Sequence, residues 1–168
     1  TLKTAGVGWV NHNLNTSARH HAEICTTHTY EDRIVTVRNV QRAGMSTCCG
    51  GIIGMGETDE DIIDLALALR ELRVDSLPVN FLIPIDGTPF DDLHELTPGR
   101  CLRALCLMRL TNPESEIRVA GGREFNLGEL LELDRPLLVG LSRKSLLKAL
   151  TGRDSGARLA GSIALATA

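Results

Sequence analysis

The chain has 168 residues and a net charge of −3, enough for one domain with a real core and too short for a complete eight-unit β/α barrel, which needs roughly 200–250 residues. Mild acidity and an aromatic content of 3% argue against a nucleic-acid partner. No apolar run approaches the ~20 residues of a membrane span, so no membrane association is expected. The first residues carry neither a signal-peptide core nor transit-peptide character and read as the interior of a domain. Five cysteines (Cys25, Cys48, Cys49, Cys101, Cys106) form no CxxC pair. With no secretion signal they predict reduced thiols and a cytoplasmic protein.

Residues 6–11, Gly-Val-Gly-Trp-Val-Asn, are a short apolar run with a polar end and predict a buried strand. Asn11, Asn13 and Asn15 then fall at alternate positions. On an extended backbone they share one face, where amide donors and acceptors suit a neutral polar substrate. An Asn-rich loop capping its own turns fits the same residues. Ile34, Val37 and Val40 recur at helical spacing over 30–42, and Gly44 closes that segment.

A strand over 46–53 opens the most informative stretch, Cys48-Cys49-Gly50-Gly51-Ile52-Ile53-Gly54-Met55-Gly56-Glu57. Glycine lets a ligand come close to the main chain, and a cysteine beside it offers a soft metal ligand or a nucleophile. A buried thiol pair before a tight turn is the plainer reading. Thr58 and Asp61 predict a capping box for a helix running to about Leu72. Residues 76–84 read as a buried strand interrupted by Asn80, which is either hydrogen-bonded core or a ligand contact. After a turn at Gly87-Thr88-Pro89, Thr97 and Pro98 start a helix to about Leu110. The strand 116–120 contains Arg118, costly there unless paired or coordinating. A short helix near 127–133, a strand over 136–140, a helix from Ser142 to about Gly152 and an Ala-rich helix over 158–168 complete the chain.

Strand and helix alternate about five times with short links, which defines the class as α/β: a partial (β/α) TIM-type barrel of about five β/α units. The unusual polar residues lie near the C-terminal ends of the strands, where ligands bind in such folds. An incomplete barrel leaves strand edges and apolar faces open, so a homo-oligomer is expected.

Taken together, these segments resemble the biotin synthase family of radical S-adenosylmethionine enzymes. The resemblance covers residues 1 to about 132. It rests on Asn11-His12-Asn13-Leu14-Asn15-Thr16-Ser17, Thr26-Thr27-His28-Thr29-Tyr30, the stretch from Cys48 to Glu57, Pro78-Val79-Asn80, Gly87-Thr88-Pro89 and Arg118-Val119-Ala120-Gly121-Gly122-Arg123-Glu124. Within it, Gly50-x-Ile52-x-Gly54-x-x-Glu57 looks like the superfamily strand that packs near the adenine of the cofactor. The resemblance implies that Cys48 and Arg118 are ligands of a sulfur-donating [2Fe-2S] cluster. It also implies that Asn11, Asn13, Asn15 and Asn80, with Gly50, Ile52, Gly54 and Glu57, contact dethiobiotin or S-adenosylmethionine. Some relatives have aspartate at the position of Asn15, where an amide bonds without the charge. Cys49, on the opposite face of its strand from Cys48, is expected in the core.

The family's CxxxCxxC loop, which holds a [4Fe-4S] cluster, and two further cysteine ligands of the [2Fe-2S] cluster would precede Thr1. This chain alone is therefore expected not to make biotin, and no catalytic residue is assigned within it. Residues 133–168 are similar instead to dihydropteroate synthase, through Arg135 to Ser145 and Arg158-Leu159-Ala160-Gly161-Ser162. That resemblance implies p-aminobenzoate and pterin contacts at Ser142 and Lys144, within a β/α unit completing the same domain. The inherited function is radical insertion of sulfur into dethiobiotin. A non-catalytic chimeric or truncated scaffold and a pterin-binding fragment are the alternatives. Cys25, Cys101 and Cys106 have no expected role.

Overall fold

The computed structural model describes residues 2–128. Five strand segments, β1 (Trp9–Asn11), β2 (Ser46–Cys48), β3 (Gly51–Ile53), β4 (Ser76–Phe81) and β5 (Glu116–Val119), pair in parallel throughout. Helices α1 (Ala18–Ile24), α2 (Tyr30–Arg42), α3 (Asp59–Leu72), α4 (Pro98–Thr111) and α5 (Arg123–Leu127) connect or follow them. This is the α/β architecture of a partial β/α barrel. β1 pairs β2, β4 pairs both β2 and β3, and β5 pairs β4, each pairing joined through a crossover connection.

The strand predicted over 46–53 is present as β2 and β3, which keep one register on β4: Cys48 lies opposite Ser76 and Gly51 opposite Val79. The break falls at Cys49-Gly50, which that register sets opposite Leu77-Pro78. Proline has no N–H to give the ladder, and a Cβ on Gly50 would overlap the Pro78 carbonyl oxygen. Gly50 therefore bends past the proline, and its own N–H goes to the Asn13 side chain at 3.0 Å.

β4 is buried almost throughout, as expected of a strand with neighbours on both sides and helices over it. Its Leu77, Val79 and Phe81 join Ile117 and Val119 of β5, Leu65, Ala66 and Leu69 of α3, and Leu105 and Met108 of α4 in one core. Both predicted helix starts on threonine hold. Thr58 and Asp61 make the reciprocal capping box, and Thr97 caps α4 ahead of Pro98. A second capping box, Thr29 with Asp32, opens α2. Asp61 reaches further. It accepts from Ser17 Oγ at 2.6 Å and Arg19 Nε at 3.0 Å, and Ser17 is itself the N-cap of α1. One carboxylate thus fastens the starts of α1 and α3 together.

Two expectations are corrected, and two helices were not foreseen. The strand over 6–11 was expected to be buried, but β1 pairs only with β2 among the described residues and Trp9 is 55% exposed. Among the described residues it has no second neighbour to cover it. The extended alternation of Asn11, Asn13 and Asn15 stops at Asn15, whose φ of 71° is left-handed, a conformation asparagine tolerates. Helix α1 was not anticipated, because Ala-Arg-His-His-Ala-Glu-Ile has no apolar repeat; its cap at Ser17 was its one signal. Helix α5, Arg123–Leu127 behind the left-handed Gly122, was not anticipated either, and the helix expected near 127–133 lies almost wholly outside the described residues. The elements expected over 136–140, 142–152 and 158–168, with Ser142 and Lys144, lie outside the described residues.

Two outcomes follow from this packing. Gly50→Ala should lower the unfolding free energy by about 3 kcal/mol or more, since backbone must move. Gly44→Ala, in open space at φ +70°, should cost only about 1 kcal/mol; chemical denaturation midpoints separate them. Burial pushes the Asp61 carboxyl up, but the Ser17 and Thr58 hydroxyls, the Thr58 amide and Arg19 outweigh it and hold the group well below the usual carboxylate range. Its stabilisation is therefore present above the unfolded value near 3.8 and is lost as pH falls from there toward the native one. Asp61→Asn should cost about 2 kcal/mol at neutral pH, with the gap to the unaltered chain closing in denaturation curves taken below pH 4.

Candidate functional site

Parallel register sets a polar row across three strands. Asn11 of β1 lies opposite Cys48 of β2, and Cys48 lies opposite Ser76 of β4. Arg118 of β5, opposite Pro78, reaches back along this row. Its Nε and Nη2 donate to Ser76 Oγ at 3.0 and 2.7 Å, and Nη2 also lies 3.4 Å from Cys48 Sγ. Asn11 Nδ2 approaches the same sulfur at 3.4 Å. Two N–H donors thus converge on one buried thiol, and the arginine that looked costly in its strand is paired. The structure brings together the two residues singled out as metal ligands, Cys48 and Arg118, with Asn11 beside them. Ser76, which organises Arg118, was missed. Its only sequence signal was a hydroxyl at the head of an otherwise apolar strand.

The other expected contacts are arranged around the glycine turn. Asn13 Oδ1 accepts from Gly50, and Asn15 pairs through its backbone, its N–H to Gly50 and its carbonyl from Ile52 at 2.8 Å. Asn80 bridges two strands, donating to the Gly51 carbonyl at 3.1 Å and accepting from the Gly121 amide at 3.0 Å. Ile52 is half-buried and lies opposite Asn80. Gly54 has φ +104°, with the side chains of Leu82 and Leu96 packed where a Cβ would project. The buried Glu57 carboxylate accepts from the amides of Gly54 and Met55 at 2.8 and 2.7 Å, and Arg100 donates to its carbonyl at 2.8 Å. Glu57 therefore shapes the turn from within. A cavity of about 60 Å³ lined by Gly54, Gly56, Glu57, Leu96 and Arg100 adjoins it.

A larger shallow cleft, about 500 Å³, lies at the opposite end of β2, between Gln41, Ser46, Arg73 and Asp75. It contains none of the converging groups. Asn11 and Cys48 end β1 and β2, Arg118 falls late in β5 and Ser76 opens β4, so it is the convergence of donors on one sulfur that defines the site. Cys49 is fully buried, in the core as expected, and burial pushes its thiol, like that of Cys101, up to about 12. Cys25 differs: a hydrogen bond from the Thr27 hydroxyl holds its thiol below the usual value.

Within this parallel β/α sheet, residues 1–69 match the model of the Radical SAM superfamily. Residues 78–139 match the Biotin and Thiamin Synthesis associated domain. Over the matched residues the chain belongs to the biotin synthase family. It is 60% identical over 126 residues to the biotin synthase of Sulfurihydrogenibium sp. (strain YO3AOP1), covering 75% of this chain and 38% of the relative. Against the biotin synthases of Persephonella marina and Halalkalibacterium halodurans it is 58% identical over 128 and 132 residues, covering 76% and 79% of this chain and 38% and 40% of the relatives. The chain thus spans well under half the length of the curated relatives it matches. This family implies S-adenosylmethionine and iron–sulfur chemistry. No described helix is long and apolar enough to cross a membrane.

Alkylation of chelator-treated native protein with iodoacetamide, mapped by mass spectrometry, should modify Cys25 early. Cys49 and Cys101 should react only after denaturant is added, because both are buried and hold their protons.

Proposed function

We propose that this chain forms part of a biotin synthase and helps carry out radical sulfur insertion into dethiobiotin, giving biotin. The observation that carries the reading is the convergence of Arg118 and Asn11 on the Cys48 sulfur, each at 3.4 Å. A small-molecule substrate would lie at the strand ends beside that sulfur.

The donor set fits part of an iron–sulfur site. Cys48 is the only cysteine of this row among the described residues, so further ligands would come from elsewhere. S-adenosylmethionine on a [4Fe-4S] cluster would supply a radical that takes hydrogen from the substrate, and a [2Fe-2S] cluster would supply the sulfur. Cys48 would hold the [2Fe-2S] cluster from β2. Arg118, a donor in its charged form, would complete that cluster's surroundings from β5, with Ser76 holding its guanidinium at a fixed angle. Asn11 would present its amide to the substrate next to the sulfur. Asn13, Asn15 and Asn80 keep the backbone around Gly50 and Gly51 in place, and with Gly50, Ile52, Gly54 and Glu57 would border substrate and cofactor. A division near residue 132, with 133–168 completing the same domain, belongs to this reading. So does self-association through β1, which pairs only with β2 among the described residues.

The test is a graft. Residues 2–128 replace the matching segment of the Persephonella marina enzyme, and biotin formed from dethiobiotin is measured anaerobically. Turnover should survive the graft. In it, Cys48→Ser should abolish turnover and alter the iron–sulfur absorption, and Arg118→Ala should lower turnover roughly 10–100-fold. Parent-like turnover in the grafted Cys48→Ser variant would end the proposal.

A further inference from the structure

Three side chains that the site above does not use meet at the turn between α1 and α2. His21 stands in the last turn of α1 and Cys25 is the C-cap of that helix. Four residues apart, they project to the same side. His28 comes from the turn just ahead of Thr29, the N-cap of α2. One ligand atom from each lies within 4.8 Å of the other two. Both ring nitrogens of His28 lie near Cys25 Sγ, Nδ1 at 3.5 Å and Nε2 at 3.6 Å, and because Nδ1 also meets the Thr27 hydroxyl at 2.9 Å, Nε2 is the nitrogen left for an ion. Tetrahedral coordination with a metal–sulfur bond near 2.3 Å and a metal–nitrogen bond near 2.0 Å separates the two ligand atoms by roughly 3.5 Å. The sulfur and nitrogen already stand at that spacing, and the Thr27 bond is the kind of partner that orients a ligating imidazole.

The surroundings point the same way. His21 is 2% exposed, and its ring packs edge-on against Tyr30 and His28. Nearby, His12 Nε2 is buried without a partner. The opposing charge is Arg33, which donates to His21 Nε2 at 3.3 Å and to the Asn13 carbonyl at 2.7 Å. An ion on His21 Nε2 takes the longer of these bonds and leaves the shorter one in place.

We propose that His21, Cys25 and His28 form a site for one divalent ion of the zinc class, with a fourth position open to water. No electron moves: the ion accepts lone pairs from two imidazole nitrogens and from sulfur, and the Cys25 proton leaves to solvent. The ion would clamp the α1–α2 turn. Arg33, released from His21 by the ion, keeps its bond to the Asn13 carbonyl, so the clamped turn stands beside the asparagine segment. The inference is independent of the sulfur-insertion reading.

Cobalt(II) titration of the chelator-treated full chain tests it. We expect one equivalent to bind with a sulfur-to-cobalt charge-transfer band and to be displaced by zinc. Cys25→Ser should remove the band, His28→Gln should weaken binding roughly 10–100-fold, and Cys48→Ser should leave the band unchanged. No band, a band that survives Cys25→Ser, or one lost in Cys48→Ser overturns the proposal. In the unaltered chain, whose folding is not in question, zinc should slow alkylation of Cys25 and leave that of Cys106 untouched. Equal rates for Cys25 with and without zinc would overturn it as well.

Discussion

The Pro78 carbonyl lies where a side chain on Gly50 would have to be, and much of the structure follows from that contact. A proline in the central strand withdraws one donor from the ladder. The neighbouring strand answers by breaking into β2 and β3 while keeping a single register on β4. A residue with a Cβ would force the strands apart, and glycine lets them close. The Gly50 amide, turned away from β4, meets Asn13, and Asn15 takes up the backbone pairing beyond it. The asparagine segment is therefore part of the sheet's repair as well as a polar lining.

That bend also sorts the two cysteines. Cys49 enters the core and keeps its proton, while Cys48 joins the row facing Asn11, Ser76 and Arg118. Arg118 lies on an exposed face of the sheet with its donors in use: two reach Ser76 and one approaches sulfur. Each residue of the row is held by a different strand, so the arrangement depends on parallel register being right at every pair. A slip of one residue would turn Cys48 away from Arg118 and bring Cys49 to the row.

The helices are fixed from their N-termini. Asp61 closes the capping box of α3 and binds the cap of α1, and Glu57, one turn earlier, satisfies the amides of Gly54 and Met55. Carboxylates at these positions also meet the positive end of α3. The Gly54–Glu57 turn is thus built around an acid that faces inward. The cluster at His21, Cys25 and His28 stands one layer further out, linked to the asparagine segment by Arg33.

Sequence alone determined the class of the fold and much of its punctuation, because those features are local. Alternating apolar runs, threonine caps at Thr58 and Thr97, and glycines at turns act within a few residues, and α2, α3 and α4 begin where their signals are. Composition and ordered motifs also picked out Cys48, Arg118 and the asparagines. What no local signal carried was lateral pairing. That Trp9 is exposed, that Asn15 turns left-handed, that Ser76 holds Arg118, and that His21, Cys25 and His28 meet across a helix end are consequences of which strands and turns become neighbours. Only the tertiary structure decided these, since burial and hydrogen-bond partners come from residues as many as 70 positions apart in the chain, as for Cys48 and Arg118.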